Sequence, residues 1–313
     1  MYSLIVLIGL YSISKEEDAP EDRLLSSGDS IVRVYMDKIN NYKNISKYVK
    51  NNTFSFLEKI QVLQDEDEYP QGLCFTNDFV LISSYSGIRG ELGKVRVFDK
   101  DTGEYLISLG MDPKSHLGGV AYDGRYIWVC NSSKLTIEQI PYDFVKQMVY
   151  HNKGRVIDIR NITKAYRVNN IPSCITYYNG RLWIATHSVF TKSILIEYDY
   201  NDKEDILYSK ESYNIPAKVQ GISFAENGRV VLSTSYGRKC TSHLKWYDSV
   251  FEMSKDVQNH RKSIELPPCS EGIVWENNCI YVLFESAGKK YLDGTDGKGK
   301  SKAPIDKILI IYE

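Results

Sequence analysis

The stretch Ser115–Ser133, "SHLGGVAYDGRYIWVCNSS", sets two short apolar runs on either side of an Asp123-Gly124 pair. Short runs rich in Val, Ile, Tyr and Trp suit a pleated, half-buried surface. Asp-Gly between two such runs accepts the positive φ that a two-residue hairpin turn demands. The stretch therefore predicts a tight β-hairpin. Its pattern recurs as "QGLCFTNDFVLISSYS" (71–86), "SCITYYNGRLWIATHS" (173–188), "QGISFAENGRVVLSTSYG" (220–237) and "EGIVWENNCIYVLFES" (271–286). Each copy has its own turn pair: Asn77-Asp78, Asn179-Gly180, Asn227-Gly228 and Asn277-Asn278.

A third and usually a fourth extended segment follow each hairpin, as in "KVRVFDKDTGEYLISL" (94–109) and "SILIEYDYNDKEDILYS" (193–209). Four strands per unit at a period of about 45–50 residues mark the blades of a β-propeller. The expected fold is all-β: a five-bladed propeller forming one domain over residues 53–313. The last unit ends after three strands, at "DKILIIYE" (306–313). A ring of blades must close or leave an open edge. The apolar segment "FSFLEKIQVLQ" (54–64) is therefore expected to supply the missing outer strand. Residues 15–52 read as a polar, partly helical extension packed on the outside. Within the second blade, "PYDFVKQMVYHN" (141–152) predicts a helix of one to two turns, and "VIDIRNITKAYRV" (156–168) that blade's outer strand.

Composition agrees with this class. The 313 residues include 24 Tyr, 10 Phe and 4 Trp, and the net charge of −1 gives no reason to expect nucleic-acid binding. Residues 1–14 hold an apolar run of about a dozen residues, too short for an integral membrane span. The run matches the core of a signal peptide or a short anchor, and an acidic stretch follows it. Export to a secreted or cell-envelope location is the expectation; an ordinary buried segment is the alternative. On a eukaryotic secretory route, Asn44, Asn51, Asn131 and Asn161 would be glycosylation acceptors. The six cysteines lack zinc-site spacing, and Cys74, Cys130 and Cys174 fall inside strands as small core residues. Cys240 and Cys269 fall in loops and could pair in an oxidising compartment.

Function is expected on one face. The hairpin turns are minimal, whereas the loops from second to third strands are long: 84–93, 187–193, 235–242 and 286–305. Long loops on a rigid scaffold are where binding resides. At the inner rim of that face the repeat places Gln71, His116, Ser173, Gln220 and Glu271 at first-strand starts. Tyr85, Asn131, Ser132, His187, Ser235 and Glu285 stand at second-strand ends. Glu271 and Glu285 belong to one blade and could share a proton or bind a cation. With His116 and His187 they form the candidate catalytic set; Gln71, Tyr85, Asn131, Gln220, Arg89 and Arg238 form the candidate ligand-binding set. Ordinary wet-channel polarity is the competing reading. Cations outnumber acids in the long loops, which suits an anionic partner. "DGTDGKGK" (293–300) spaces its acids three apart and so fails the EF-hand pattern.

The run Tyr69-Pro70-Gln71-Gly72-Leu73, followed by "FVLISSYSGIRGELGKVRVFDKDTGEYL" (79–106), resembles the opening blade of the glutamine cyclotransferase propellers. Gln71 and Gly72 match that family's Phe-Thr-Gln-Gly-Leu run, and Tyr69 and Pro70 depart from it. The family's later acidic motif is represented by Ser270-Glu271-Gly272. Together, "PQGL" and "HLGGVAYDGRYIWV" are similar to a group of exported bacterial propeller proteins. Architectural similarity to lactonase-type propellers implies a divalent cation such as calcium, held here by Glu271 and Asn131. These features lead to an exported, monomeric propeller binding a small molecule, glycan or protein on its long-loop face. The alternative is an enzyme at the channel mouth, either cyclotransferase-like or a metal-assisted hydrolase.

Overall fold

A computed structural model describes residues 37, 39–50 and 67–313. The repeat folds into five separate sheets, and their first strands touch in a closed cycle. Blade one is β1 (Glu68–Phe75), β2 (Phe79–Ser86), β3 (Gly93–Asp99) and β4 (Tyr105–Met111). Blade two opens with β5 (Val120–Tyr122), β6 (Tyr126–Asn131) and β7 (Thr136–Pro141). After β7 come helix α1 (Tyr142–His151), β8 (Val156–Asp158) and β9 (Lys164–Arg167). Blade three is β10 (Cys174–Tyr178), β11 (Arg181–Ala185), β12 (Ser193–Asn201) and β13 (Ile206–Ile215). Blade four is β14 (Val219–Phe224), β15 (Val230–Thr234), β16 (Ser242–Tyr247) and β17 (Lys262–Leu266), with α2 (Val250–Lys255) before its last strand. Blade five has β18 (Ser270–Glu276), β19 (Cys279–Phe284), α3 (Lys289–Asp293) and β20 (Leu309–Tyr312). The cycle runs β1, β5, β10, β14, β18 and back to β1.

Two of the five hairpin turns have positive φ at both residues of the expected pair; at 123–124 and 227–228 only the glycine has it, and at 77–78 neither residue does. Asn179 and Gly180 have φ of 49° and 78°, and Asn277 and Asn278 have 50° and 59°. Positive φ at both central positions is the primed turn whose twist matches the strands. Apolar faces fill the wedges between blades, with Trp128 against Tyr198 between two and three, and Trp246 with Phe284 between four and five.

At the centre of the ring the first strands meet backbone to backbone. A Cβ on Gly72 would lie 2.7 Å from Gly119 Cα, and one on Gly119 would lie 2.7 Å from Ile175 N. On the other side, a Cβ on Gly221 would lie 2.7 Å from Glu271 O, and one on Gly272 would lie 2.6 Å from Leu73 N. No side chain fits at these four positions. The "GG" of the opening stretch is therefore a packing requirement.

Three expectations change. The helix of blade two is 10 residues long, and its Tyr142 and Val145 bury against the hairpin and outer strands of blade one. Tyr142 Oη donates to Asp78 Oδ2 at 2.8 Å and sits 2.9 Å from Thr76 Oγ1. That anchorage draws the following chain across: β8 pairs in parallel with β4 of blade one, and only β9 forms the outer strand of blade two. Residues 39–50 do not merely lie outside. Ile39 and Ile45 are fully buried with Trp246, Ile264 and Leu309, because these apolar residues cap the wedge between blades four and five. Lys43 and Glu265 fasten the segment, Lys43 N donating to Glu265 Oε2 at 3.0 Å. The apolar segment 1–14 and the proposed closing strand 54–64 lie outside the described residues. All six cysteines are unpaired; Cys240 is exposed and Cys269 buried. Among the described residues no helix is long and apolar enough to cross a membrane.

Gly272→Ala should destabilise the protein by about 1–3 kcal/mol, the usual cost of overpacking a filled site. Urea or thermal denaturation measures it. An unchanged midpoint would mean that β18 and β1 are not in backbone contact.

Candidate functional site at the channel mouth

Three of the five first strands carry a β-bulge at one height. In β1, Pro70 pairs with Ser84 and Gly72 with Ser83, so Gln71 is extra. In β14, Val219 pairs with Thr234 and Gly221 with Ser233, so Gln220 is extra. In β18, Ser270 pairs with Phe284 and Ile273 with Val282, which leaves one extra residue at Glu271-Gly272. A bulge re-aims the side chain it carries. Here all three polar side chains converge. Gln71 Nε2 donates to Glu285 Oε2 at 2.9 Å, and Gln220 Nε2 donates to Glu271 Oε1 at 3.1 Å.

Glu271 is buried and Glu285 part-buried, close enough that the charge of Glu285 acts on the Glu271 carboxyl. Two carboxyls this close ionise together only at a cost. Burial, followed by the charge of Glu285, holds the Glu271 carboxyl well above the ordinary range. Burial raises Glu285 as well, against the opposing pull of Tyr291, Lys290 and Gln71. Tyr291 Oη donates to Glu285 Oε1. Above the pair opens a cavity of about 340 Å³, walled also by His187, Ser235, Arg238 and Lys290. The pair is thus two carboxyls with raised pKa values, held by two carboxamides and a phenol, at the wall of a cavity on the long-loop face.

Beside the cavity is an aromatic enclosure. Tyr69 and Tyr85 stack at 5.1 Å between centroids, Tyr291 meets Tyr69 edge-on at 5.8 Å, and His116 meets Tyr85 at 4.4 Å. Lys290 Nζ lies 3.9 Å from the Tyr69 centroid, 4.8 Å from Tyr85 and 4.9 Å from Tyr291, and it donates to Tyr85 Oη. Desolvation lowers the Lys290 pKa more than the Glu285 charge restores it. Arg238 clamps the loop that carries Lys290. Its Nη1 donates to Lys290 O at 2.7 Å and Gly299 O at 2.6 Å, its Nη2 pairs with Asp296, and its plane lies 4.4 Å from the Tyr291 ring.

Of the residues anticipated from sequence, the structure brings together Glu271, Glu285, Gln71 and Gln220, with Tyr85 in the adjoining enclosure. His187 lines the cavity, its Nδ1 held 3.2 Å from Val219 O. His116 is an exposed residue packed edge-on against Tyr85 and outside the cavity wall, with its pKa lowered by desolvation and by Lys290. No hydrogen bond among the described residues joins either histidine to the glutamates. Arg238 is a clamp, with its donors spent on the loop. Arg89 is exposed in the β2–β3 loop, outside the cavity wall. Asn131 is fully buried in another cluster, donating to Glu138 Oε1 at 2.6 Å and Asp112 Oδ2 at 3.4 Å. The expected Glu271–Asn131 cation site therefore does not assemble, because Asn131 is already committed elsewhere. Among the described residues no three His, Cys, Asp or Glu side chains gather as metal ligands. Three cations in or next to the long loops are paired: Lys94 with Glu68, Lys289 with Asp67 and Arg238 with Asp296. Tyr291 and the inward course of Lys290 were not legible, since both lie on a loop outside the repeat.

No protein-family model and no curated protein sequence matches the chain. Solved structures with a similar fold include the glutaminyl cyclase of Myxococcus xanthus, at 10% identity and TM-score 0.45 over 79% of this chain and 91% of that one. Another is the tail fiber of Staphylococcus aureus phage P68, at 11% identity and TM-score 0.49 over 81% of this chain and 52% of that one. A nidogen/laminin complex matches at 12% identity and TM-score 0.42 over 69% of this chain and 72% of that one. The likeness is one of propeller architecture.

The glutamate pair has a pH consequence. Folding raises the Glu271 carboxyl above the ordinary value of 4.5, so the folded state binds more protons than the unfolded. Its contribution to stability is full below that value and is lost as pH rises through the raised one. Glu271→Gln keeps an acceptor for Gln220 but does not titrate. Melting temperatures between pH 5 and 9 should fall less steeply for Glu271→Gln than for wild type. Parallel curves would show that the Glu271 carboxyl is not raised.

Proposed function

We propose that this propeller binds a small polar molecule in the channel-mouth cavity, with Glu271 offering a proton and Glu285 a negative charge. The observation that carries this reading is the glutamate pair itself, gripped by Gln71, Gln220 and Tyr291 at the cavity wall. Two buried carboxyls with raised pKa values cost folding stability, and such costs concentrate at functional sites. The bulges at Gln71, Gln220 and Glu271 support the same reading, because each turns a polar side chain toward one place. Melting shifts against a panel of amines, amino acids, sugars and organic acids test it. At least one class should stabilise wild type by several degrees and lose most of that effect with Glu271→Gln and Glu285→Gln. A panel without effect, or one whose effect both variants retain, would overturn the reading.

A second reading is favoured by one feature: two neighbouring carboxyls whose pKa values are raised can serve as a general acid–base pair. The resemblance of Gln71-Gly72-Leu73 to the glutamine cyclotransferases makes a peptide with N-terminal glutamine the first substrate to try. Cyclisation by wild type that falls about 100-fold or more with Glu271→Gln supports catalysis, given the usual weight of a general acid. Its absence from wild type removes the cyclotransferase form of this reading.

A further inference from the structure

We propose that the tyrosine enclosure beside the glutamate pair is a receptor for a methylated ammonium group, and that Lys290 occupies it as an internal stand-in. The proposal names a ligand class for the site described above and rests on the binding reading of that site. Tyr69 on β1, Tyr85 on β2 and Tyr291 on α3 come from distant parts of the chain, yet their ring centroids lie 3.9, 4.8 and 4.9 Å from Lys290 Nζ, with Tyr69 stacked on Tyr85 and Tyr291 edge-on to Tyr69. All three centroids lie within the roughly 6 Å range of a cation–π contact. Glu285 supplies the matching negative charge through its hydrogen bond with Tyr291. This combination of several aromatic faces and a nearby carboxylate is how proteins recognise methylated ammonium groups.

A primary ammonium is an imperfect occupant. It is a compact, strongly hydrated ion with three N–H groups to satisfy. Among the described residues Lys290 Nζ has one hydrogen bond here, to Tyr85. The lowered Lys290 pKa reflects that loss of hydration. A fully methylated ammonium has no N–H group to satisfy, so the same enclosure suits it better. The side chain of Lys290 can leave without dismantling the enclosure. Arg238 holds the Lys290 carbonyl and the Tyr291 ring, and Lys290 already borders the cavity of about 340 Å³. That cavity can take the withdrawn lysine or the remainder of a ligand.

The test is isothermal titration of the full chain with tetramethylammonium chloride, using sodium chloride as the ionic control. Wild type, Lys290→Ala and the double variant Lys290→Ala/Tyr85→Leu are compared. Lys290→Ala should bind tetramethylammonium at least tenfold more tightly than wild type, and the double variant should lose that gain. Lys290→Gln replaces Lys290→Ala if the alanine variant melts below wild type. Choline and a peptide bearing trimethyl-lysine, run as separate arms, tell a free small molecule from a modified protein. Equal binding by wild type and Lys290→Ala, or binding kept without the Tyr85 ring, would overturn the proposal. So would a folded Lys290 variant that takes up no tetramethylammonium. If the compound panel still yields a ligand that depends on Glu271, that last result removes the aromatic receptor and leaves the binding site standing. If the panel yields none, both fall.

Discussion

The backbone contact between neighbouring first strands at the centre of the ring is the constraint on which the rest depends. Four glycines, Gly72, Gly119, Gly221 and Gly272, stand where a Cβ would overlap the next strand's main chain. With no side chains there, five first strands can approach closely enough to touch in a closed cycle. The larger residues are displaced outward into the wedges between blades, where the aromatic and branched side chains pack. Second-strand hydroxyls reinforce the contact: Ser83 Oγ accepts from Gly72 N at 3.0 Å and donates to Leu117 O at 2.7 Å. Ser233 and Ser270 meet at 2.8 Å across blades four and five.

The functional geometry grows out of the same contact. Just before Gly72, Gly221 and Gly272 the strand carries an extra residue, and that residue is Gln, Gln and Glu. Close approach of the backbones brings the three side chains within reach of one another and of Glu285. Burying two carboxyls together is unfavourable unless their lone pairs are satisfied. Gln71, Gln220 and Tyr291 provide that satisfaction. The result is a polar network that the fold tolerates and a ligand can use, next to an aromatic enclosure that already holds a cation.

Much of this was legible in the text of the chain. The hairpin pairs at 179–180 and 277–278, and Gly124 in the opening stretch, mark their turns because few residues accept positive φ. The recurrent Gln-Gly, Gln-Gly and Glu-Gly at 71, 220 and 271 placed three of the four central side chains, since the repeat assigns them one height. Glu285 followed from the same register. Asn131 occupies the corresponding place in blade two, yet its amide turned to Asp112 and Glu138, because the choice among hydrogen-bond partners is made by neighbours far apart in sequence. Arg238 looked like a free cation for the same reason, although a loop 50 to 60 residues further along uses up its donors.

By itself, then, the sequence determined the repeat, the turns, the five blades and the height of the polar ring. These are matters of local period and backbone preference, which neighbouring residues specify among themselves. Only the tertiary structure decided that Glu271 and Glu285 stand together with raised pKa values, that Lys290 lies beside Tyr69, Tyr85 and Tyr291, and that Asn131 faces elsewhere. It also decided that α1 carries β8 to the edge of blade one and that Ile39 and Ile45 seal the last wedge. Each of these depends on distance between groups remote in the chain, and on the loss of water around them when the ring closes.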